Sequence, residues 1–190
     1  MESHESAPPG QSKKLEKYLL DLFEEWTSDD NPKIRIRLFN EVLTFFMLGD
    51  RYQAYQLDGR QQGNVVLTIA TNGELGMSDE LKGLNISWPT QFVQKTSLSN
   101  YMTSMEAVYM DSMYFSLPTK CKPCAWQSHC LGGLQFGSVI NRYDAERGFD
   151  NASVYCDALR SLYSKAASHL LSFGVEMETI EAAVRTEKFP

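Results

Sequence analysis

The chain has 190 residues, enough for one ordinary domain or a small domain with an appended piece. It is 43% hydrophobic and 22% charged, with a net charge of -6. That acidic balance, with no Lys/Arg cluster, argues against nucleic acid as a partner, and no apolar run approaches the roughly 20 residues of a membrane-spanning helix.

Residues 1–12 are polar and carry Pro8, Pro9 and Gly10. They predict a disordered leader without a signal segment, and so a cytoplasmic, reducing location. From Lys13 the chain turns helical: Leu15, Tyr18, Leu19, Leu22, Phe23 and Trp26 recur at the three-and-four spacing of a buried face. Asp29-Asp30-Asn31-Pro32 predicts the turn that follows. Ile34, Ile36 and Leu38 alternate with Lys33, Arg35 and Arg37, which reads as a short strand. Phe39 to Leu48 reads as a second helix, stopped at Gly49-Asp50. Residues 13–58 are therefore expected to form a helix-strand-helix segment.

Arg51 to Gly63 is polar and reads as a loop. Val65 to Ala70 is β-rich, and Asn72-Gly73, a favoured pair for a type I′ turn, predicts a hairpin returning through Glu74 to Leu81. Asn85 to Trp88 reads as extended. Ser97 or Ser99 is expected to cap a helix carrying Tyr101, Met102, Met105, Val108, Tyr109 and Met113, a stripe that reads as packing. A final helix is expected from about Ala158 to Phe173, stopped at Gly174. Val175 to Ala183 would add another helical turn or two, with 177–190 as a C-terminal tail.

All four cysteines lie in one stretch, Cys121, Cys124 and Cys130 as C-x2-C-x5-C, and Cys156 follows 26 residues after Cys130. Four thiolates are a complete tetrahedral set for a soft metal, with none left over. Pro123 stiffens the first turn, and Gly132-Gly133 permit the positive φ of a tightly wrapped loop. In a reducing compartment, cysteines so spaced more often bind metal than pair as disulfides. Thiolates suit both zinc and iron–sulfur clusters, so spacing leaves that choice open. Trp126 and His129 lie between ligands, where they would shield or tune a bound centre. Arg142 is expected to form an ion pair with Asp150 or Asp157, or to meet a peptide carboxylate. Asn151 and Ser153 are expected to cap the helix that carries Cys156, placing that thiol in a first turn where the helix dipole favours thiolate. His169 has no partner at ligand spacing.

Several of these pieces resemble the SPASM domain of radical SAM/SPASM maturases, which modify ribosomally made peptides. The hairpin from Val66 to Asp79 resembles that domain's strand, Asp/Asn-Gly turn and following segment. The Cys121–Cys130 motif resembles its central cysteine motif, and Arg142-Tyr143 with Gly148 to Cys156 its closing segment. Lys13 to Leu48 is similar to the end of the radical SAM barrel that precedes it. The resemblance implies an α+β fold: a small β-hairpin with flanking helices and a cysteine-rich metal loop, occupying 59–176, behind the helix-strand-helix piece.

It also implies that Cys121, Cys124, Cys130 and Cys156 hold one auxiliary [4Fe-4S] cluster. Ser78 and Leu134 stand where that family places ligands of another cluster, and the radical SAM signature C-x3-C-x2-C is absent. The chain is therefore not expected to act as a radical SAM enzyme on its own. The expected function is a stand-alone SPASM-like iron–sulfur protein, or a fragment of a longer maturase. It would act with a separate radical SAM protein on a short precursor peptide, in peptide positioning or electron relay. The alternative is a zinc-stapled peptide or protein interaction module without redox activity.

Overall fold

The apolar spacing of the first fifty residues produces two helices, α1 (Gln11–Asp29) and α2 (Arg37–Leu48). The computed structural model describes residues 3–4, 7–8, 10–48, 67–76, 84, 90–133 and 139–185. The expected loop at 51–63, the extended stretch at 85–88, the far end of the hairpin return, Ser78, Leu134 and the last five residues lie outside them. Between α1 and α2 the expected strand does not form: residues 34–36 are irregular, and Arg37 already opens the helix. Among the described residues, the alternation there has no neighbouring strand to satisfy its backbone. Instead the Trp26 indole donates to the Ile34 carbonyl at 3.0 Å, and the Ile36 carbonyl accepts the first helical bond from Asn40.

Two further helices complete the apolar core. α6 (Cys156–Ser172) lies against α1 and α2, and α7 (Met177–Arg185) packs on α2. Leu19 and Phe23 of α1 meet Phe39, Val42, Phe45 and Phe46 of α2, and Ala158, Leu159, Leu162, Tyr163, Ala166 and Ala167 of α6. The rings interlock edge to face, Phe23 against Phe39 with centroids 5.1 Å apart. Full burial of such a side chain contributes about 1.5–3 kcal/mol. Tyr18, expected on the buried face, is instead exposed. At the end of α6, Gly174 takes φ 88 while Gly174 and Val175 donate to the carbonyls of Leu171 and Leu170. This is the Schellman arrangement its position suggested. The expected C-terminal tail begins as α7, with Ile180 and Ala183 buried.

The hairpin forms as β1 (Thr68–Ile69) and β2 (Glu74–Gly76), and β3 (Gln91–Phe92) adds antiparallel to β2. Its turn differs from the expected type I′. Gly73 donates to Ala70 and is the residue with positive φ, 87°, whereas Asn72 is not in the left-handed region. Three residues therefore link Ala70 to Glu74, the type I turn with a glycine bulge.

The single helix expected after Ser97 is two: α3 (Leu98–Met102), capped by Ser97, and α4 (Met105–Phe115), capped by Ser104. Thr103 breaks the run, its hydroxyl turning back onto the carbonyls of Ser99 and Asn100. Tyr101 is wholly buried, but Met102, Met105, Val108 and Tyr109 are exposed, so the stripe is not the packing seam expected of it. Among the described residues no helix is long and apolar enough to cross a membrane.

Candidate metal centre

A proline and a turn of 3₁₀ helix deliver the chain into the cysteine loop. The Cys121 N–H donates to Pro118, the Cys124 N–H to Cys121 and the Cys130 N–H to Trp126, so backbone bonds wind the loop around its first three thiols. The short helix α5 (Gln127–Cys130) carries the third. The chain then reverses through Leu131, Gly132 and Gly133, at φ 52, 68 and 96. The two glycines are required twice over. A Cβ on Gly132 would stand 2.8 Å from Nη2 of Arg142, and one on Gly133 2.4 Å from Cβ of Ser153. Cys156 arrives as the first residue of α6, its N–H donating to Ser153.

All four cysteines are free thiols. Ionisation is opposed at three of them, Cys121, Cys130 and Cys156. Burial first, and then the charge of Cys156, pushes the Cys121 thiol up to about 11. Cys130 is pushed up to about 12, chiefly by burial, with Cys156, Cys121 and Cys124 adding to it and the Gly133 N–H opposing. Cys156 is raised by burial, then by Asp157 and Cys124. Cys121, Cys124 and Cys156 are among the residues that line a cavity of about 680 Å³, as are Trp126 and Tyr155; Cys130 is not. No group of three or more Cys, His, Asp or Glu among the described residues lies close enough to hold a single metal ion.

The two aromatic side chains between these cysteines pack into the helical core. His129 is buried, stacked on Phe45 at 4.5 Å and edge-on to Tyr163 at 5.4 Å. Trp126 meets Phe46 edge to face at 5.8 Å. The two rings fasten the cysteine loop to the helical core. Asn151 and Ser153 are not caps of α6, which has no side-chain cap. Asn151 donates to the Gly148 carbonyl, and the Ser153 hydroxyl accepts from the Tyr155 N–H in a turn just ahead of the helix.

Asp150 accepts from both the N–H and the hydroxyl of Thr119, at 2.6 and 3.0 Å, which hold its carboxyl below the usual range. Arg142 instead donates to the backbone carbonyls of Leu131, Gly132 and Ser116. Its reach to carbonyls was not legible in sequence, although a Gly-Gly pair ten residues upstream was the available signal. The contribution of the first residues was missed too. Ser3 is buried, the His4 N–H donates to the Tyr143 carbonyl, and its ring nitrogen lies 2.8 Å from the Ala152 carbonyl.

No protein-family profile matches the sequence, and no curated protein does. Solved structures do match in fold. Native anSMEcpe with bound AdoMet superposes with a TM-score of 0.57 at 18% identity, over 85% of this chain and 42% of that one. Native anSMEcpe with bound AdoMet and Kp18Cys peptide superposes with a TM-score of 0.58 at 17% identity, over 91% and 46%. The chain thus spans less than half the length of either neighbour, and the likeness is one of fold.

Proposed function

We propose that this chain is a SPASM-like iron–sulfur module. Cys121, Cys124, Cys130 and Cys156 would hold one [4Fe-4S] cluster, and the module would serve a radical SAM enzyme carried on another polypeptide in modifying a ribosomal peptide. The observation that supports the proposal most is that all four thiols are free, and that burial together with neighbouring sulfur charge raises three of them. Positive metal charge relieves that repulsion and converts binding energy into folding energy. Support for the context comes from the fold shared with anSMEcpe, a SPASM/twitch radical SAM maturase solved with AdoMet and, in one structure, with a peptide.

When bound, the cluster supplies a one-electron relay or a rigid staple. The chain's own residues wind the first three thiols on a backbone-bonded loop and donate the Gly133 N–H to the Cys130 sulfur. They also place Cys156 in the first turn of α6, where the helix dipole favours negative charge.

Anaerobic reconstitution with iron and sulfide tests the proposal. The expected product is brown, absorbs near ~400 nm, holds about four irons per chain and bleaches with dithionite. Cys156→Ser should lose that colour. Protein that stays colourless and takes up a single zinc would favour a staple without redox activity, and protein that takes up neither metal would sink both. Co-purification with a radical SAM protein or a short peptide tests the partnership separately.

A further inference from the structure

Burial of a guanidinium is costly, and such a charge is almost never fully buried without partners. Arg142 is nevertheless 1% exposed. Its partners form a pattern. Nε donates to the Gly132 carbonyl at 2.9 Å, Nη2 to that of Leu131, and Nη1 to that of Ser116 at 3.1 Å. Ser116 precedes Cys121 and Leu131-Gly132 follow Cys130, so one planar fork joins the two ends of the loop that carries three of the four cysteines. A Cβ on Gly132 would meet both the guanidinium and the Pro118 ring at 2.8 Å. The segment bearing Arg142 is in turn bonded to the approach to Cys156, the Val154 N–H donating to the Asn141 carbonyl at 2.8 Å.

We propose that Arg142 is a positioning residue of the cysteine centre. It clamps both ends of the 116–132 loop so that Cys121, Cys124 and Cys130 face Cys156, and its fixed positive charge offsets the negative charge of a thiolate-bound cluster. This rests on the iron–sulfur reading above. A lysine keeps the charge but lacks the planar fork that reaches three carbonyls, whereas a glutamine loses the charge.

The test uses the full chain as wild type, Arg142→Lys and Arg142→Gln, with helical circular dichroism as the folding control. Both variants should bind iron about 10–100-fold more weakly than wild type, as for outer-shell partners of metal ligands. In the fraction that loads, Arg142→Gln should show a reduction potential shifted to more negative values, and Arg142→Lys one close to wild type. An unshifted potential in Arg142→Gln overturns the assignment even where affinity falls, because a merely structural residue gives that pattern. Wild-type protein that takes up no iron removes the parent reading instead. Protease cleavage within 116–132 of the metal-free chain then decides the clamp, with faster cutting in Arg142→Gln supporting it and equal cutting overturning it.

Discussion

In the helical region, Phe39, Val42, Phe45 and Phe46 lie wholly buried against Phe23, Leu159 and Leu162. Among the described residues of the cysteine region, from 116 to 156, the largest wholly buried side chain is Arg142. The first region draws its stability from apolar surface removed from water, at about 25 cal/mol per Å². The second is held by backbone bonds, left-handed glycines and a guanidinium on carbonyls, contacts worth about 1 kcal/mol net apiece. It also brings together thiols that resist ionising beside one another. Two rings, His129 and Trp126, join the regions by inserting from the loop into the core. One region thus carries its own stabilisation, and the other, on the proposal above, would gain from a bound cluster.

Substitutions that act on one side of this division should separate the two. Phe39→Ala removes a fully buried ring that faces Phe23 and Trp26, and should cost about 3–5 kcal/mol. Loss of urea resistance should be global, with the cysteine region unfolding alongside the core. Stability within 1 kcal/mol of wild type would mean the core is not the foundation of the fold. Gly133→Ala should cost somewhat less, roughly 2–4 kcal/mol, from a positive φ and a clash with Ser153. Its effect should be local: hydrogen exchange quickens in 116–156 while α1, α2 and α6 keep wild-type protection. Uniform loss of protection across the chain would show that the two regions unfold as one unit.

How much of this was legible beforehand follows the same division. Helix periodicity found α1, α2 and α6 to within a few residues, because a buried stripe must repeat with the helix. The same periodicity misassigned Tyr18, and alternation misread 34–36 as a strand, since sequence does not say whether a partner strand exists. The hairpin was visible in Asn72-Gly73, but not the turn type, which depends on whether one residue or two take positive φ. β3 was missed because Gln91-Phe92 is too short to carry a pattern. Around the cysteines, the positive φ of Gly132 and Gly133 was legible from residue type. The roles of Arg142 and His129 were not, because each is defined by a contact with a chain segment distant in sequence.

The smallest effect probes the helical region alone, through His169 near the end of α6. Its ring meets Phe23 edge-on at 5.6 Å and Phe173 at 4.7 Å. Burial first, and then the charge of Lys165 one turn earlier, holds its pKa below the ordinary 6.5. Lys165 itself is 3.2 Å from Glu24 across the α1–α6 seam. In the unfolded chain His169 takes up its proton near 6.5, before the folded chain does, so protons favour unfolding in that window. Stability should therefore fall as pH drops below about 6.5 and through the lower folded value, and recover as pH rises. His169→Phe keeps the ring contacts and removes the proton site, so its urea midpoint should change less between about pH 5.5 and 7.5 than that of wild type. Equal slopes in the two proteins would show that the imidazole titrates as freely in the folded chain as in the unfolded one, and that the seam between α1 and α6 is open to water at that point.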